Sequence, residues 1–341
     1  MLVDAKPNSR KENEMKKATL PLFIIALLSL SDAREVAAQA CRLDGARQVA
    51  VALTGALDSL QNPCFSPDAQ VLAFTHFTGG YNTGTGLVKT VRAIGGAPLA
   101  TLSPGGAQSV NLPGQCWSTI SNEVAYSSDI ANDRDEIYLA PAAGGAPRRI
   151  TNRPGYLAWE PSVSPVLPDG SQWIVFESHT KANPNAGGEL WKVRTDGGGL
   201  VQLTHGSDDR QPQWSPKGDR IVFQRQLGTD RWDVATVDIN GGSFFNVTNN
   251  PRRSNTDPSW SPSGDYIVYS AGGPGIEIAN LFVIRASGGT PAQVTSSCGL
   301  DGAPGWSPDG SRIAFESAPF DPDEQAGGTT LWVIDAPAGI R

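Results

Sequence analysis

"GWSPDGSRIAFES", residues 305–317, has shorter relatives upstream in "QWSPKGDRIVFQR" from Gln213 and "SWSPSGDYIVYSA" from Ser259. Each reads as an aromatic anchor, a tight turn and a strand. Pro308-Asp309-Gly310 supplies a preset φ, a side chain that caps the turn and a residue free to take positive φ. "RIAFES" and "RIVFQR" then bunch β-branched and aromatic residues as strands do.

Aligned on its first residue, the unit recurs at Phe65, Trp117, Val163, Trp214, Trp260 and Trp306, at intervals of 52, 46, 51, 46 and 46 residues. Periods of this size belong to arrays of small sheets, of which the four-stranded propeller blade is the commonest. The third unit stretches its first turn by a "VLPD"-like insertion, and the second loses the Ser-Pro-Asp-Gly turn to Ser118-Thr119-Ile120-Ser121. A third strand follows in each unit, seen as "ELWKVRT" from Glu189, "NLFVIRA" from Asn280 and "TLWVIDA" from Thr330. Glycine pairs such as Gly241-Gly242 and Gly288-Gly289 then mark a tight hairpin, and short segments such as "VQLTHG" and "AQVTSS" close the unit. The last unit stops at Arg341 without its fourth strand, while "RQVAVALTG", Arg47 to Gly55, reads like a fourth strand without a unit. The expectation is therefore an all-β fold: a six-bladed β-propeller of four-stranded antiparallel blades, the last blade closed by the N-terminal strand, which protects otherwise bare edges.

The repeated residues speak for architecture rather than chemistry. Trp214, Trp260 and Trp306 are expected to pack between neighbouring sheets, and the prolines two residues before each anchor, Pro63, Pro161, Pro212, Pro258 and Pro304, read as strand-entry features.

The N-terminus has another character. From Met15 the chain runs Lys16-Lys17, an apolar stretch from Leu20 to Leu30, and Ala38-Gln39-Ala40, the order of a secretory signal. Residues 1–40 are read as a signal peptide whose true start is Met15, and residues 41–341 as one propeller domain. The apolar stretch is short for a bilayer span, so no integral membrane segment is expected. Without residues 1–40 the chain keeps 21 Lys and Arg against 29 Asp and Glu, a formal charge of −8 that disfavours nucleic acid as a partner. Cys41, Cys64, Cys116 and Cys298 all lie in the mature part, where an exported compartment permits disulfides in any of three pairings.

Units of the type Pro-x-Trp-Ser-Pro-Asp-Gly-x-x-Ile-Ala-Phe, ending in a Gly-Gly turn and a Leu-Thr strand, resemble the β-propeller repeats of the TolB-like family. The resemblance covers about residues 48–335 and is clearest from Pro212, Pro258 and Pro304. It implies a periplasmic or secreted, monomeric propeller that binds an envelope or secreted protein as an interaction scaffold. TolB proper carries an α/β domain before its propeller, and this chain looks like a propeller alone, so membership of the Tol–Pal system is implied only through the propeller. Similar repeats also occur in peptidase propellers and polysaccharide lyases.

Enzymatic chemistry is hard to find in the sequence. His76, His179 and His205 fall in different units, and no Gly-x-Ser-x-Gly elbow is present. No catalytic residue and no cofactor is assigned. The alternative reading is a metal-dependent sugar lyase or lactone hydrolase holding a divalent cation in the central channel. Acidic residues do gather before the first strands: Asp208-Asp209 before Trp214, Asp257 before Trp260 and Asp301 before Trp306, with Arg210, Arg252 and Arg253 adding mixed charge. In a propeller such entry loops crowd around one mouth of the channel, which makes these seven residues the candidate partner-binding rim.

Overall fold

The structure is a computed structural model. It describes residues 43–340 apart from 54, 56, 131–133, 186, 274–277 and 319–327, so the signal segment expected over residues 1–40 and Cys41 lie outside the described residues.

After β1 (Ala46–Gln48) come four discrete sheets. The first orders β2 (Ser59–Phe65), β3 (Val71–Phe77), β4 (Gly86–Arg92) and β5 (Ala100–Thr101) side by side. The second has five strands, because its inner edge is split into β6 (Val110–Asn111) and β7 (Trp117–Ser118), both paired with β8 (Glu123–Ser128), beyond which lie β9 (Glu136–Pro141) and β10 (Arg148–Arg149). The third contains β11 (Tyr156–Val163), β12 (Trp173–Thr180), β13 (Glu189–Arg194) and β14 (Val201–Gln202). The fourth contains β15 (Asp209–Trp214), β16 (Arg220–Gly228), β17 (Arg231–Asp238) and β18 (Phe245–Asn246).

The remaining strands form one eight-stranded sheet. It joins β19 (Ser254–Trp260), β20 (Tyr266–Gly272), β21 (Ala279–Arg285) and β22 (Ala292–Gln293) to β23 (Leu300–Trp306), β24 (Arg312–Ala318), β25 (Thr330–Asp335) and β1. This corrects the expected blade count. The described strands make four discrete blades and one fused sheet, not six four-stranded blades. The fusion comes from a parallel bridge between Ala279 and Leu300. The split in the second sheet falls at Pro113-Gly114, where proline lacks a ladder donor and a Cβ on Gly114 would stand 2.8 Å from the Pro304 carbonyl oxygen. The N-terminal segment pairs with β25 over Ala46–Gln48, a shorter stretch than Arg47 to Gly55.

Successive sheets pack face to face into a closed circuit. Trp214 is buried between the third and fourth sheets with Val175, Leu190 and Phe223. Trp260 joins Val222 and Val234 to Tyr269, and Trp306 joins Val268 and Leu281 to Phe315. The circuit closes where Phe65 and Phe74 of the first sheet meet Ala314, Leu331 and Val333 of the last. Each such buried side chain contributes about 1.5–3 kcal/mol. Cys64 on β2 and Cys116 before β7 form a disulfide that ties the first sheet to the second. Cys298 is also disulfide-bonded, and its partner lies outside the described residues.

The opening turn folds as its chemistry asks. Gly310 takes φ +71° and donates its N–H to the Ser307 carbonyl at 2.8 Å. The Asp309 carboxylate accepts from the Ser307 hydroxyl at 2.6 Å and from the Ser311 amide and hydroxyl at 3.0 and 2.7 Å. Those donors, the Ser307 hydroxyl first, pull its pKa down to about 2.

Candidate functional site

The innermost strands β2, β11, β15, β19 and β23 each break register once. At each break one residue sits at positive φ directly before a proline: Asn62 (54°), Glu160 (50°), Gln211 (51°), Asp257 (53°) and Ala303 (45°). A bulge inserts a residue and re-aims its side chain, and it removes the ladder bond that a proline could not donate. The prolines therefore stand inside the inner strands rather than at their entries. The bulge residues ring the central channel.

Side-chain donors and acceptors lock these bulges across sheet boundaries. The Asn62 amide donates to Glu316 Oε2 at 2.9 Å and the Gln211 amide to Glu177 Oε2 at 2.7 Å. The Asp257 amide donates to the side-chain oxygens of Gln224 at 2.9 Å and Gln211 at 3.1 Å. Glu177 and Glu316 occupy the same position in the Phe-Glu-Ser of their units, one residue beyond the buried Phe176 and Phe315.

Residue order along β15 gives the channel its profile. Arg210 and Gln211 line an open cavity of about 420 Å³, with Glu160, Glu177, Asn82 and Gln108 around it. Gln211, Pro212 and Gln213 then line a throat of about 30 Å³, shared with Asn62, Asp257 and Ala303. Beyond it, Gln213 and Pro216 reach a second cavity of about 330 Å³, walled by Phe65, Trp117, Trp260 and Trp306 and lined by no charged side chain. One mouth is polar and the other apolar, and the throat holds no more than about two waters at roughly 10–15 Å³ each.

The carboxyls at the throat are strained electrostatically. Burial, followed by the charges of Glu177, Asp257 and Glu316, pushes Glu160 well above the usual carboxylate range. Burial also raises Asp257, against donors at the Ala303 amide and Gln211. Glu316 is pushed up to about 7, by burial first and then by Asp257, while the Asn62 amide and the Tyr81 hydroxyl pull the other way.

The sequence-predicted rim divides in three. Arg210 lines the polar mouth and Asp257 the throat, with Asp208 paired to Arg210. Arg210 grips both oxygens of Asp208 at 2.8 and 2.9 Å and lies 5.2 Å over the Trp232 ring. Against the cost of burial, that guanidinium holds Asp208 below its ordinary pKa. Asp209 and Asp301 are corrections: both are fully buried and so removed from any rim. Asp209 takes a two-pronged pair from Arg225 at 2.6 and 2.8 Å, and Asp301 accepts from Ser297 and Ser317 at 2.8 and 2.7 Å. Arg252 and Arg253 are exposed before β19 outside the cavity lining, the latter 4.7 Å over the Phe282 ring.

The residues that build the mouth beside Arg210, among them Glu160, Glu177, Gln211 and Gln224, and the Tyr81–Glu316 pair near it were not singled out from the sequence. The signal for them was the residue before each repeat proline and the recurrence of Phe-Glu-Ser. The histidines stay apart: His76 pairs with Asp58 at 2.8 Å, His179 with Glu177 at 3.2 Å, and His205 is exposed. Among the described residues no three His, Cys, Asp or Glu side chains are placed to hold a metal ion, and no helix is long and apolar enough to cross a membrane.

Fold and channel together define a repeat β-propeller with one polar and one apolar mouth. The TolB beta propeller domain model matches residues 23–278, three quarters of the chain, and the chain belongs to that family. It is 29% identical over 157 residues to a protein TolB homolog of Chlorobium luteolum, 44% of this chain and 32% of that relative. The chain thus matches about a third of that relative's length. Among solved structures it is similar to a putative TolB from Agrobacterium tumefaciens, with TM-score 0.56, 22% identity, and coverage of 82% of this chain and 90% of that one. A gluconolactonase from Xanthomonas campestris is similar too, with TM-score 0.57, 14% identity, and coverage of 88% and 93%. At these identities the structures share the fold.

Proposed function

We propose that this chain is an exported, monomeric TolB-like scaffold that binds an envelope or secreted protein at its polar mouth. The carrying observation is the channel profile: an open cavity of about 420 Å³ stands over a throat of about 30 Å³. A partner can seat side chains in such a mouth but cannot thread it. Arg210 on Trp232, Glu177, and the amides of Asn82, Gln108, Gln211 and Gln224 offer donors, acceptors and flat surface, as protein-binding patches do.

Export is supported by the signal-like segment from Met15 and by the disulfides, which persist in oxidising compartments. The gluconolactonase likeness is one of fold and brings no lactonase residues with it. Gln108 is exposed on the mouth and its side chain makes no hydrogen bond among the described residues, so Gln108→Arg obstructs the cavity without touching the core. The expected result is loss of co-purification of an envelope protein from native extract, with an unchanged melting temperature. Equal recovery by the wild-type and variant chains contradicts the reading.

A further inference from the structure

One segment borders the polar mouth, with Asn82 in the cavity lining. The loop between β3 and β4, residues 78–85, bonds mainly to itself: Gly79 N–H to the Thr83 carbonyl at 2.9 Å, Thr83 N–H to the Gly80 carbonyl at 3.2 Å, and Thr85 N–H to Thr78 Oγ1 at 3.3 Å. Gly80 and Gly84 take φ +107° and +83°, backbone that glycine adopts without strain. From this loop Tyr81 extends to the neighbouring last sheet, where its hydroxyl donates to Glu316 Oε1 at 3.1 Å. Tyr81 as a whole remains 46% exposed.

The receiving carboxylate is unusually placed. Glu316 is buried on β24 and already accepts the Asn62 amide from β2 on its other oxygen. Asp257 faces it from β19 and adds negative potential, while Glu160 on β11, itself pushed well above the usual carboxylate range by burial, is the other carboxyl coupled to it. At Gly302 an added Cβ would stand 3.6 Å from both Asp257 Oδ2 and Glu316 Oε1, so the two carboxyls flank a gap that the missing side chain leaves. The Tyr81 hydroxyl sits at that gap.

We propose that Tyr81 and Glu316 form a proton-sensitive latch, which ties the 78–85 loop at the edge of the polar mouth to the neighbouring sheet when Glu316 is ionised and loosens when it takes up a proton. The main-chain amide of Asn62 can only donate, so the proton goes to Oε1, the oxygen that faces Tyr81. The bond then survives only with the tyrosine turned to acceptor, as a neutral contact roughly half as strong as the charge-assisted one. Because Glu316 titrates near neutrality, the latch responds within the ordinary pH range. That loosening exposes the partner surface rests on the scaffold reading; the latch itself does not.

The test uses the full chain labelled with ¹³C at tyrosine Cζ, the Tyr81 resonance being the one lost in Tyr81→Phe. It is expected to shift with a midpoint near pH 7, and the Gly79 and Thr83 amides to exchange several-fold faster at pH 6 than at pH 8 after correction for intrinsic rates. Tyr81→Phe, which changes an exposed residue, is expected to exchange fast at both pH values, and Glu316→Gln to flatten the titration. A Tyr81 signal that is static from pH 5 to 9, or one that titrates unchanged in Glu316→Gln, overturns the latch. So does loop exchange equal in the wild type and Tyr81→Phe. No partner enters this experiment, so a titrating latch without a captured protein would fail the scaffold and keep the latch.

Discussion

Asp208 and Asp209 are neighbours of identical type, yet alternation along β15 sends them to different tasks. Asp208 pairs with Arg210, which lines the mouth, whereas Asp209 is sealed against Arg225. Asp209→Ala leaves Arg225 without its partner and is expected to cost about 3–5 kcal/mol in urea denaturation, against about 1 kcal/mol for Asp208→Ala. Similar losses for the two variants would contradict this division.

Glu316 makes the pH argument. Its folded pKa of about 7 lies above the ordinary 4.5 of a glutamate carboxyl, so the folded state holds the proton more tightly than the unfolded chain. Its contribution is complete below pH 4.5 and is lost as pH rises to 7, on the order of 3 kcal/mol. Stability measured from pH 4.5 to 7.5 is therefore expected to decline, and the decline to be shallower in Glu316→Gln. Parallel profiles would count against it. The acidic entry residues were legible in the sequence as a group. Which of them reach the channel was not, because a one-residue bulge at Gln211 or Asp257 resets the alternation on which such a reading depends.

At the scale of elements, the repeat was readable wherever local chemistry determines it. Pro308-Asp309-Gly310 dictates its own turn, and the spacing of Trp214, Trp260 and Trp306 dictates where neighbouring sheets meet. The joining of β21 to β23 rests on one long-range bridge between Ala279 and Leu300, and nothing local in those residues announces it. The split inner strand was foreshadowed only by the decayed turn at Ser118 to Ser121. Across this weakest unit runs the Cys64–Cys116 disulfide, with a sequence separation of 52. Closing a loop of that length is worth about 4 kcal/mol by loop-entropy reasoning. Cys64→Ala with Cys116→Ala is expected to lower stability by about that amount in guanidinium denaturation, with the slope showing whether the first two sheets still melt with the rest. A loss under about 1 kcal/mol would mean that the packing of the first sheet on the second, Val88 and Leu102 against Val110 and Tyr126, alone holds the junction.

For the whole molecule, the circuit of sheets produces two unlike mouths from one repeat. Turns of the Ser-Pro-Asp-Gly type and tryptophans crowd one end, and the variable entry loops crowd the other. What repeats therefore builds the ring, and what varies builds the site. The measurement that tests the scaffold most directly is photo-crosslinking in the native envelope, with a photoreactive residue placed at Gln108 on the polar mouth or at Ser311 in the turn region of the opposite end. A discrete protein adduct is expected from Gln108 that Gln108→Arg chains cannot compete away and wild-type chains can, with none from Ser311. Adducts of equal yield from both positions, or none from Gln108, would contradict it.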